Sequence, residues 1–377
     1  MNSVRKALIV GGGIGGLSGA IALRRADVAV ELVEIHRDWK VYHVGIVVQA
    51  NFIRAMLQLG IADEAIAHGF PYNGLTFQDL HGHIIRQLHG QPVAGPDYPT
   101  HLGMTRPALH DVLFKAATRA GARVRTGVTF SDITQDGDAV HVAFTDGSRG
   151  DYDLVVGADG VYSKVREHLF GPEHKPRYTG QGTWRYNVVR PPEVTASFMC
   201  LGPELPLGKC GFIPLSSTTG YIWLVQSEPG NPFHEPARLA DIFRERLRGC
   251  TGVLAGLREQ ITDSSLVVYR PLESLLLPAP WYRGRVLLIG DAVHATTPHM
   301  GQGSAQAVED AVVLGELAAQ SRPLPALLEE FMRRRYERCR FIVESSLQIG
   351  EWEQHPEQKG DPIGLTARML EVVAAPI

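Results

Sequence analysis

Cysteine is scarce in this chain. Four occur in 377 residues, Cys200, Cys210, Cys250 and Cys339, and no two form a Cys-x-x-Cys pair. That spacing offers no zinc framework. Reduced thiols in a cytoplasmic protein are the plain expectation, with Cys200 and Cys210 the one pairing left open. An excess of charge is also missing. The formal net charge is -3, so neither nucleic acid nor an anionic membrane is an expected partner. No apolar run approaches the roughly 18 residues that span a bilayer. The opening Met-Asn-Ser-Val-Arg-Lys leads straight into a strand, without the pattern of a secretion signal. There is no repeat, low-complexity tract or long linker. No His/Cys/Asp/Glu group has metal-ligand spacing, so no metal is expected, and no Ser/His/Asp set stands out. The remaining composition, 44% hydrophobic and 20% charged, is that of a globular chain long enough for two packed domains.

The most legible segment comes first. Lys6 to Val10 is a short apolar run, as a buried parallel strand should be. Gly11-Gly12-Gly13-Ile14-Gly15-Gly16 follows, then a helix-compatible stretch to about Ala26 and a second apolar run, Val28 to Ile35. Gly11, Gly13 and Gly16 occupy the three positions of the dinucleotide fingerprint. In that arrangement Gly11 makes the tight turn, Gly13 admits a pyrophosphate, and Gly16 lets helix and strand pack. Phosphates would sit at the helix N-terminus, where free N–H groups favour negative charge. Glu34 stands near the spacing expected of a ribose ligand.

Further along, Gly45 to Gly60 has helix-compatible spacing, and Phe70 to Pro99 is an excursion with strand fragments. A helix is expected from Pro107 to Ala120. Hairpins are expected around Asp136-Gly137 and Asp146-Gly147, which bracket the alternating Ala139 to Thr145. Tyr178 to Tyr269 reads as a mostly-β layer with one amphipathic helix carrying Leu239, Ile242, Phe243 and Leu247. Arg285 to Ile289 returns to a buried strand. Helices are expected from Ser304 to Gln320 and from Leu324 to about Glu351, and the tail is poorly legible. The expected fold is α/β: a Rossmann-like domain from residues 1–70, 100–177 and 270–323, an inserted mostly-β substrate domain from 71–99 and 178–269, and a C-terminal helical segment, 324–377.

Four later motifs carry a family resemblance. Gly157-Ala158-Asp159-Gly160, with Ser163, Val165 and Arg166, resembles the Asp-Gly motif of the class A flavoprotein monooxygenases, the para-hydroxybenzoate hydroxylase type. Gly290-Asp291-Ala292-Val293-His294, then Pro298, Gly301, Gln302, Gly303 and Glu309-Asp310-Ala311, resembles that family's second FAD motif. Thr105-Arg106-Pro107 is similar to its arginine-containing helix start, and Gly45-Ile46, Asn51, Arg54 and Leu57 to its segment under the isoalloxazine. Where members often read Gly-Ala-Gly-Ile, this chain has His43-Val44-Gly45-Ile46.

The resemblance implies FAD as cofactor, NADH or NADPH as reductant, and O2 as co-substrate. It implies hydroxylation of a small aromatic or N-heteroaromatic compound through a flavin C4a-hydroperoxide. The expected cofactor set is Gly11, Gly13, Ile14, Gly15, Gly16, Glu34, Arg106, Val128, Asp159, Gly290, Asp291, Pro298, Gly301, Gln302 and Gly303. Asp291, after a buried strand, is placed to accept ribityl hydroxyls, and the helix opening at Gly303 to stabilise charge at the flavin's pyrimidine edge. Arg106 either meets FAD phosphate or bridges the layers, and Asp159 either serves the cofactor or starts a helix. Catalytic candidates are Arg185, Tyr221 and His43, with Val47, Phe212 and Pro214 as pocket walls. In a strand Trp184 and Tyr186 share one face and Arg185 takes the other. His43 either lies near the flavin or substrate or is a surface or packed histidine, and whether it attaches the flavin covalently is left open. A flavin-dependent epoxidase or halogenase and a non-catalytic flavin-fold binder are the alternatives. A homodimer is among the assemblies left open.

Overall fold

The computed structural model describes residues 4–39, 41–201 and 208–377. Its first layer grows from the strand Lys6–Val10, buried from Ala7 onward, as a central parallel strand demands. Ala29–Glu34 pairs parallel on one side and Leu154–Gly157 on the other. Arg123–Thr126 extends the sheet past the former, and Val286–Leu288 with Tyr282–Arg283 past the latter. This six-stranded layer is therefore assembled from stretches far apart in the chain. The helices Ile14–Arg25 and Gly303–Ala318 pack closely: a Cβ on Gly315 would lie 2.7 Å from the Cβ of Ala22.

The second layer is a seven-stranded sheet ordered Val268–Ser274, Arg177–Val189, Thr219–Ser227, Gly208–Pro214, Ser197–Cys200, Leu75–Gln78, Ile84–Leu88. Side chains alternate between its faces. Trp184, Tyr186, Phe212, Ile222 and Leu224 form a core under the helices Leu239–Arg246 and Gly252–Glu259. The intervening residues face the first layer. The second of these helices was not anticipated: it opens on Gly252 and carries Gly256, weak helix formers that mask its period. The four cysteines are buried and free, with Cys210 paired opposite Cys200 in the sheet and its sulfur 3.9 Å from that of Cys250.

A small antiparallel sheet joins the layers: Gly45–Gln49, His101–Thr105 and Phe70–Tyr72. Its first strand corrects the helix expected from Gly45. Ile46, Val47 and Val48 are β-branched and prefer the extended chain, and the helix begins only at Ala50. It ends at Leu59, with Gly60 in the left-handed region at φ 74. The helix Arg106–Arg119 starts where expected, with the Thr105 hydroxyl accepting from Ala108 N–H and Pro107 in the first turn. At the C-terminus the 31-residue helix Leu324–Gln354 is followed by a shorter one, Pro362–Ala374. The short helix fell in the illegible tail. Among the described residues no helix is long and apolar enough to cross a membrane.

Candidate active site

One crevice of about 790 Å³ runs between the two layers. At one end lies the glycine turn. Gly11 takes φ +105, and a Cβ there would meet the Ala158 carbonyl oxygen at 2.4 Å; a Cβ on Gly16 would meet that of Gly11 at 1.9 Å. Both glycines are therefore required by the fold itself. Gly13 differs: a Cβ there would meet no protein atom within 4 Å and would point into open space. Gly13, Ile14 and Gly15 line the crevice. The helix Ile14–Arg25 begins with no side-chain cap and no acid in its first turn, so its free N–H groups are available to an anion.

Glu34 is 8% exposed. Its Oε2 accepts from Gly12 N–H at 2.8 Å and its Oε1 from His36 N–H at 2.9 Å. Each oxygen keeps a lone pair for a ligand hydroxyl, and Glu34 lines the crevice. Val128 stands behind this position. Its N–H donates to the Glu34 carbonyl at 3.1 Å, and it is absent from the crevice wall.

The other end is built by the segment from Gly290 to Gly303. Gly290 adopts φ 62 and Gly301 φ 64. Asp291 projects into the crevice, and no hydrogen bond or ion pair to its carboxylate occurs among the described residues. Burial raises its pKa, which His294 and Arg106 partly offset. Pro298, Gly301, Gln302 and Gly303 line the crevice. The helix Gly303–Ala318 again starts without a side-chain cap or first-turn acid. Two uncapped helix N-termini, an open glycine cradle and an unpartnered carboxylate therefore share one crevice. A dinucleotide with diphosphate and polyol fits that donor set.

Gln302 does not send its amide to the ligand space. Its Nε2 donates to Gln49 Oε1 (2.7 Å) and Asn51 Oδ1 (3.1 Å), and its Oε1 accepts from Asn51 and Gln306. Below it Arg335, fully buried, donates to Asp310 Oδ1 at 2.7 Å and Glu309 Oε2 at 2.8 Å. His294 and Gly290 N–H bond the other Asp310 oxygen. Burial opposes charge on His294, but Cys339 and Asp310 hold its pKa well above the ordinary value. His294, Asp310 and Cys339 lie close enough to resemble a metal site, yet Arg335 already supplies the positive charge there, donating to both Asp310 and Cys339.

The substrate-layer wall follows the strand alternation. Thr183, Arg185, Lys209, Ile213, Tyr221, Trp223 and Val225 face the crevice, as does Val47 from the small sheet. Arg106 and Arg185 enter no ion pair or side-chain hydrogen bond among the described residues. Burial lowers the Arg106 pKa; burial first, and then Arg106, lowers that of Arg185 to about 10. Arg270, a third guanidinium in the wall, bonds the Tyr42 hydroxyl at 3.0 Å. Tyr221 is 6% exposed, and burial raises its pKa.

Besides Val128, four expected site residues stand elsewhere. Phe212 and Pro214 sit on the far side of their strand, and Ile213 between them is the wall residue: the period of two was placed one residue out. His43 is exposed, outside the crevice, with its Nε2 3.0 Å from the Leu266 carbonyl. Asp159 turns away from the crevice. Its Oδ1 accepts from Ser163 Oγ and its Oδ2 from Lys164 N–H (2.7 Å) and Val165 N–H (3.1 Å), so it starts the helix Lys164–Phe170.

Other wall residues had no sequence signal. His101 is 5% exposed, stacked on Tyr72 at 5.3 Å, and burial pulls its pKa to about 4. Lys209, 3% exposed, meets Glu353 Oε1 at 2.7 Å. Glu353 Oε2 accepts from Gln181 Nε2 at 3.0 Å and meets His299 Nε2 at 3.1 Å. Burial opposes the Glu353 charge, but Lys209 and His299 bring its pKa to about 2. These groups come from four separate segments, and nothing local in the sequence announces their meeting.

The profile of a protein family described as "FAD binding domain" matches residues 5–346. The chain is 31% identical over 353 residues to an FAD-dependent urate hydroxylase of Klebsiella oxytoca, covering 90% of this chain and 88% of that one. It is 32% identical over 359 residues to a 2-heptyl-3-hydroxy-4(1H)-quinolone synthase of Pseudomonas aeruginosa, covering 92% and 90%. Its fold superposes on the crystal structure of Klebsiella pneumoniae HpxO complexed with FAD and uric acid with a TM-score of 0.86, at 25% identity over 98% of this chain and 97% of that one. The chain belongs to the FAD-binding family of class A flavoprotein monooxygenases, whose members act on aromatic and heteroaromatic compounds, and it is an FAD-dependent enzyme.

Proposed function

We propose that this enzyme uses FAD, NADH or NADPH, and O2 to hydroxylate a small aromatic or N-heteroaromatic substrate that binds as an anion. The observation that carries this reading is the pair Arg106 and Arg185. Both line the crevice, and neither enters an ion pair or side-chain hydrogen bond among the described residues; Asp291 lies close enough to Arg106 to raise its pKa but does not pair with it, and Arg185 has no carboxylate acting on it. Both arginines are half-buried; a cation partly withdrawn from water without an ion-pair partner is costly, and a bound anion relieves that cost. The urate and quinolone names of two relatives are consistent with planar substrates of this kind.

FAD, when bound, supplies the redox chemistry that draws electrons from the nicotinamide and activates oxygen. Gly13 and the first helix N-terminus would hold its diphosphate, Glu34 a ribose, and Asp291 the ribityl chain. The N–H groups at Gly303, with Arg106, stabilise negative charge in the crevice. Arg185 orients the substrate's anionic oxygen and keeps the ring electron-rich; Tyr221 stands in the same wall. Val47, Ile213, Trp223 and Met300 exclude water from the ring.

The test is to screen phenolic and N-heteroaromatic acids for stimulation of NADH and NADPH oxidation, and to search the product for an oxygen atom from labelled O2. Arg185→Met should lower kcat/KM roughly 10- to 150-fold, the worth of a hydrogen bond to a charged group, with Arg185→Lys intermediate. An FAD-loaded protein that incorporates oxygen into none of these compounds refutes the reading.

A further inference from the structure

Lys209 is the least explained charge in the crevice. It is 3% exposed and lines the wall, and its ammonium has one partner among the described residues, Glu353. An ammonium carries three donors, so two point at no acceptor among the described residues. Glu353 is not in the wall. It stands behind Lys209 and is fixed by His299 and Gln181 as well. Because a buried carboxylate only accepts, His299 donates to it through Nε2 and accepts from the Thr297 hydroxyl at Nδ1, 2.8 Å away. Lys209 is thus pinned from behind, with its charge balanced and donors left over. Glu353 also lies beyond residue 346, where the match to the family profile ends.

The sheet register locates Lys209 relative to Arg185. Arg185 pairs with Trp223, and Trp223 with Gly211; Thr183 pairs with Val225, and Val225 with Lys209. Lys209 is therefore two strands across from Arg185 and two residues along, on the same face. With strands about 4.8 Å apart and about 3.3 Å per residue, their backbones are about 12 Å apart. Trp223 and Val225 lie between them on the middle strand. A Cβ on Gly211 would meet the Trp223 ring at 2.6 Å, so the indole lies over that glycine. If both side chains extend alike, subtracting two hydrogen bonds of about 2.9 Å leaves roughly 6 Å between the ligand atoms they hold. That is the span of one six-membered ring substituted on opposite edges.

We infer that Lys209 is a specificity-determining residue that donates to a neutral acceptor, a carbonyl or ring nitrogen, on the edge of the substrate ring opposite the anionic oxygen held by Arg185. Glu353 is its positioning residue. The balanced charge at Lys209 favours a neutral acceptor, and the unbalanced charge at Arg185 an anion. This inference rests on the proposed binding of an aromatic anion, but its test needs no turnover.

The probes are 4-hydroxyacetophenone and 4-ethylphenol, which share a phenol and differ in the carbonyl across the ring, with 4-hydroxybenzoate as the charged comparison. Dissociation constants are read on the FAD-loaded enzyme from the perturbation of flavin absorbance. The wild type should bind the ketone more tightly than the ethyl compound. Lys209→Met should cut that ratio roughly 10- to 150-fold and leave 4-ethylphenol binding within about threefold. Lys209→Arg should restore part of the ratio, and Glu353→Gln should lower it. Because each ratio is taken within one variant, a general loss of stability cancels. A wild type that binds the two probes equally, a Lys209→Met ratio equal to the wild type's, or tighter binding of 4-hydroxybenzoate through Lys209 overturns the inference. Retained selectivity without hydroxylation sinks only the proposed reaction.

Discussion

Replacing Glu353 by glutamine removes the carboxylate between Lys209 and His299 while keeping its shape. Both Glu353 oxygens are used, and its side chain is 9% exposed. Two routes give the cost. Breaking a buried ion pair by removing one member costs about 3–5 kcal/mol, because the other charge stays buried. The pKa of Glu353 falls from 4.5 to about 2 on folding, and that difference corresponds to about 3 kcal/mol. The sign follows from the depressed value. This stability is fully present above pH 4.5 and is lost as pH falls from 4.5 toward 2. Urea unfolding of the FAD-loaded protein, followed by tryptophan fluorescence, should therefore show Glu353→Gln weaker by about 3 kcal/mol at pH 7. The gap from the wild type should close on acidification through that window. Lys209→Met combined with Glu353→Gln should cost much less than the two single changes added, since neither then leaves a charge alone. A single-variant cost below about 1 kcal/mol, or strict additivity in the double variant, would refute the reasoning.

Gly13→Ala and Gly16→Ala should part company. The Gly13 change meets no protein atom, so thermal unfolding of the apoprotein should stay near wild type while FAD affinity falls by at least 100-fold; Gly16→Ala meets a carbonyl oxygen at 1.9 Å and should fail to fold stably. Asp291→Ala should leave apoprotein stability near wild type, because no hydrogen-bond or ion-pair partner among the described residues is lost, yet yield protein that does not retain the 450 nm flavin band on gel filtration. His101, whose pKa drops from 6.5 to about 4, is kept neutral by burial; its contribution is present above pH 6.5 and declines as pH falls toward 4. His101→Gln should remove up to about 3 kcal/mol of that acid-side loss, measured as a flatter stability profile between those values.

The cofactor half of the crevice was legible because its chemistry is local. A phosphate turn needs glycines a fixed distance apart within one strand–turn–helix unit, and Gly11, Gly13 and Gly16 sit within the single stretch Gly11 to Gly16. The substrate half is written across strands. Arg185 could be assigned to the face opposite Trp184 and Tyr186 because alternation within one strand separates them, and it lies in the crevice wall. Phe212 and Pro214 were misplaced because a short apolar run, Gly211-Phe212-Ile213-Pro214, shows no polarity difference between its faces. Both sides of that strand are buried, one in the layer's own core and one against the crevice, so the period of two leaves no mark. Lys209 and Glu353, 144 positions apart, had no chance of being paired by any local pattern.

The motif residues themselves divide by where their atoms point. Gly13 and Asp291 present open space and an unpartnered carboxylate to the crevice. Gln302 and Asp159 belong to the same motifs, yet their side chains are spent on the protein: Gln302 on Gln49, Asn51 and Gln306, Asp159 on the start of a helix. Reading every motif position as a ligand contact therefore overcounts the site. A buried loop that must expose backbone N–H groups to a cofactor has to be held by something else, and side chains turned away from the ligand are what hold it. The network from Gln302 through Asn51 and Glu309 to Arg335 and Arg338 serves that purpose here. Asn51→Ala, which leaves Gln302 and Glu309 each one partner short in a buried setting, should lower FAD affinity without touching the crevice wall. If flavin titration of that variant matched the wild type, the loop's geometry would have to be set by its own backbone instead.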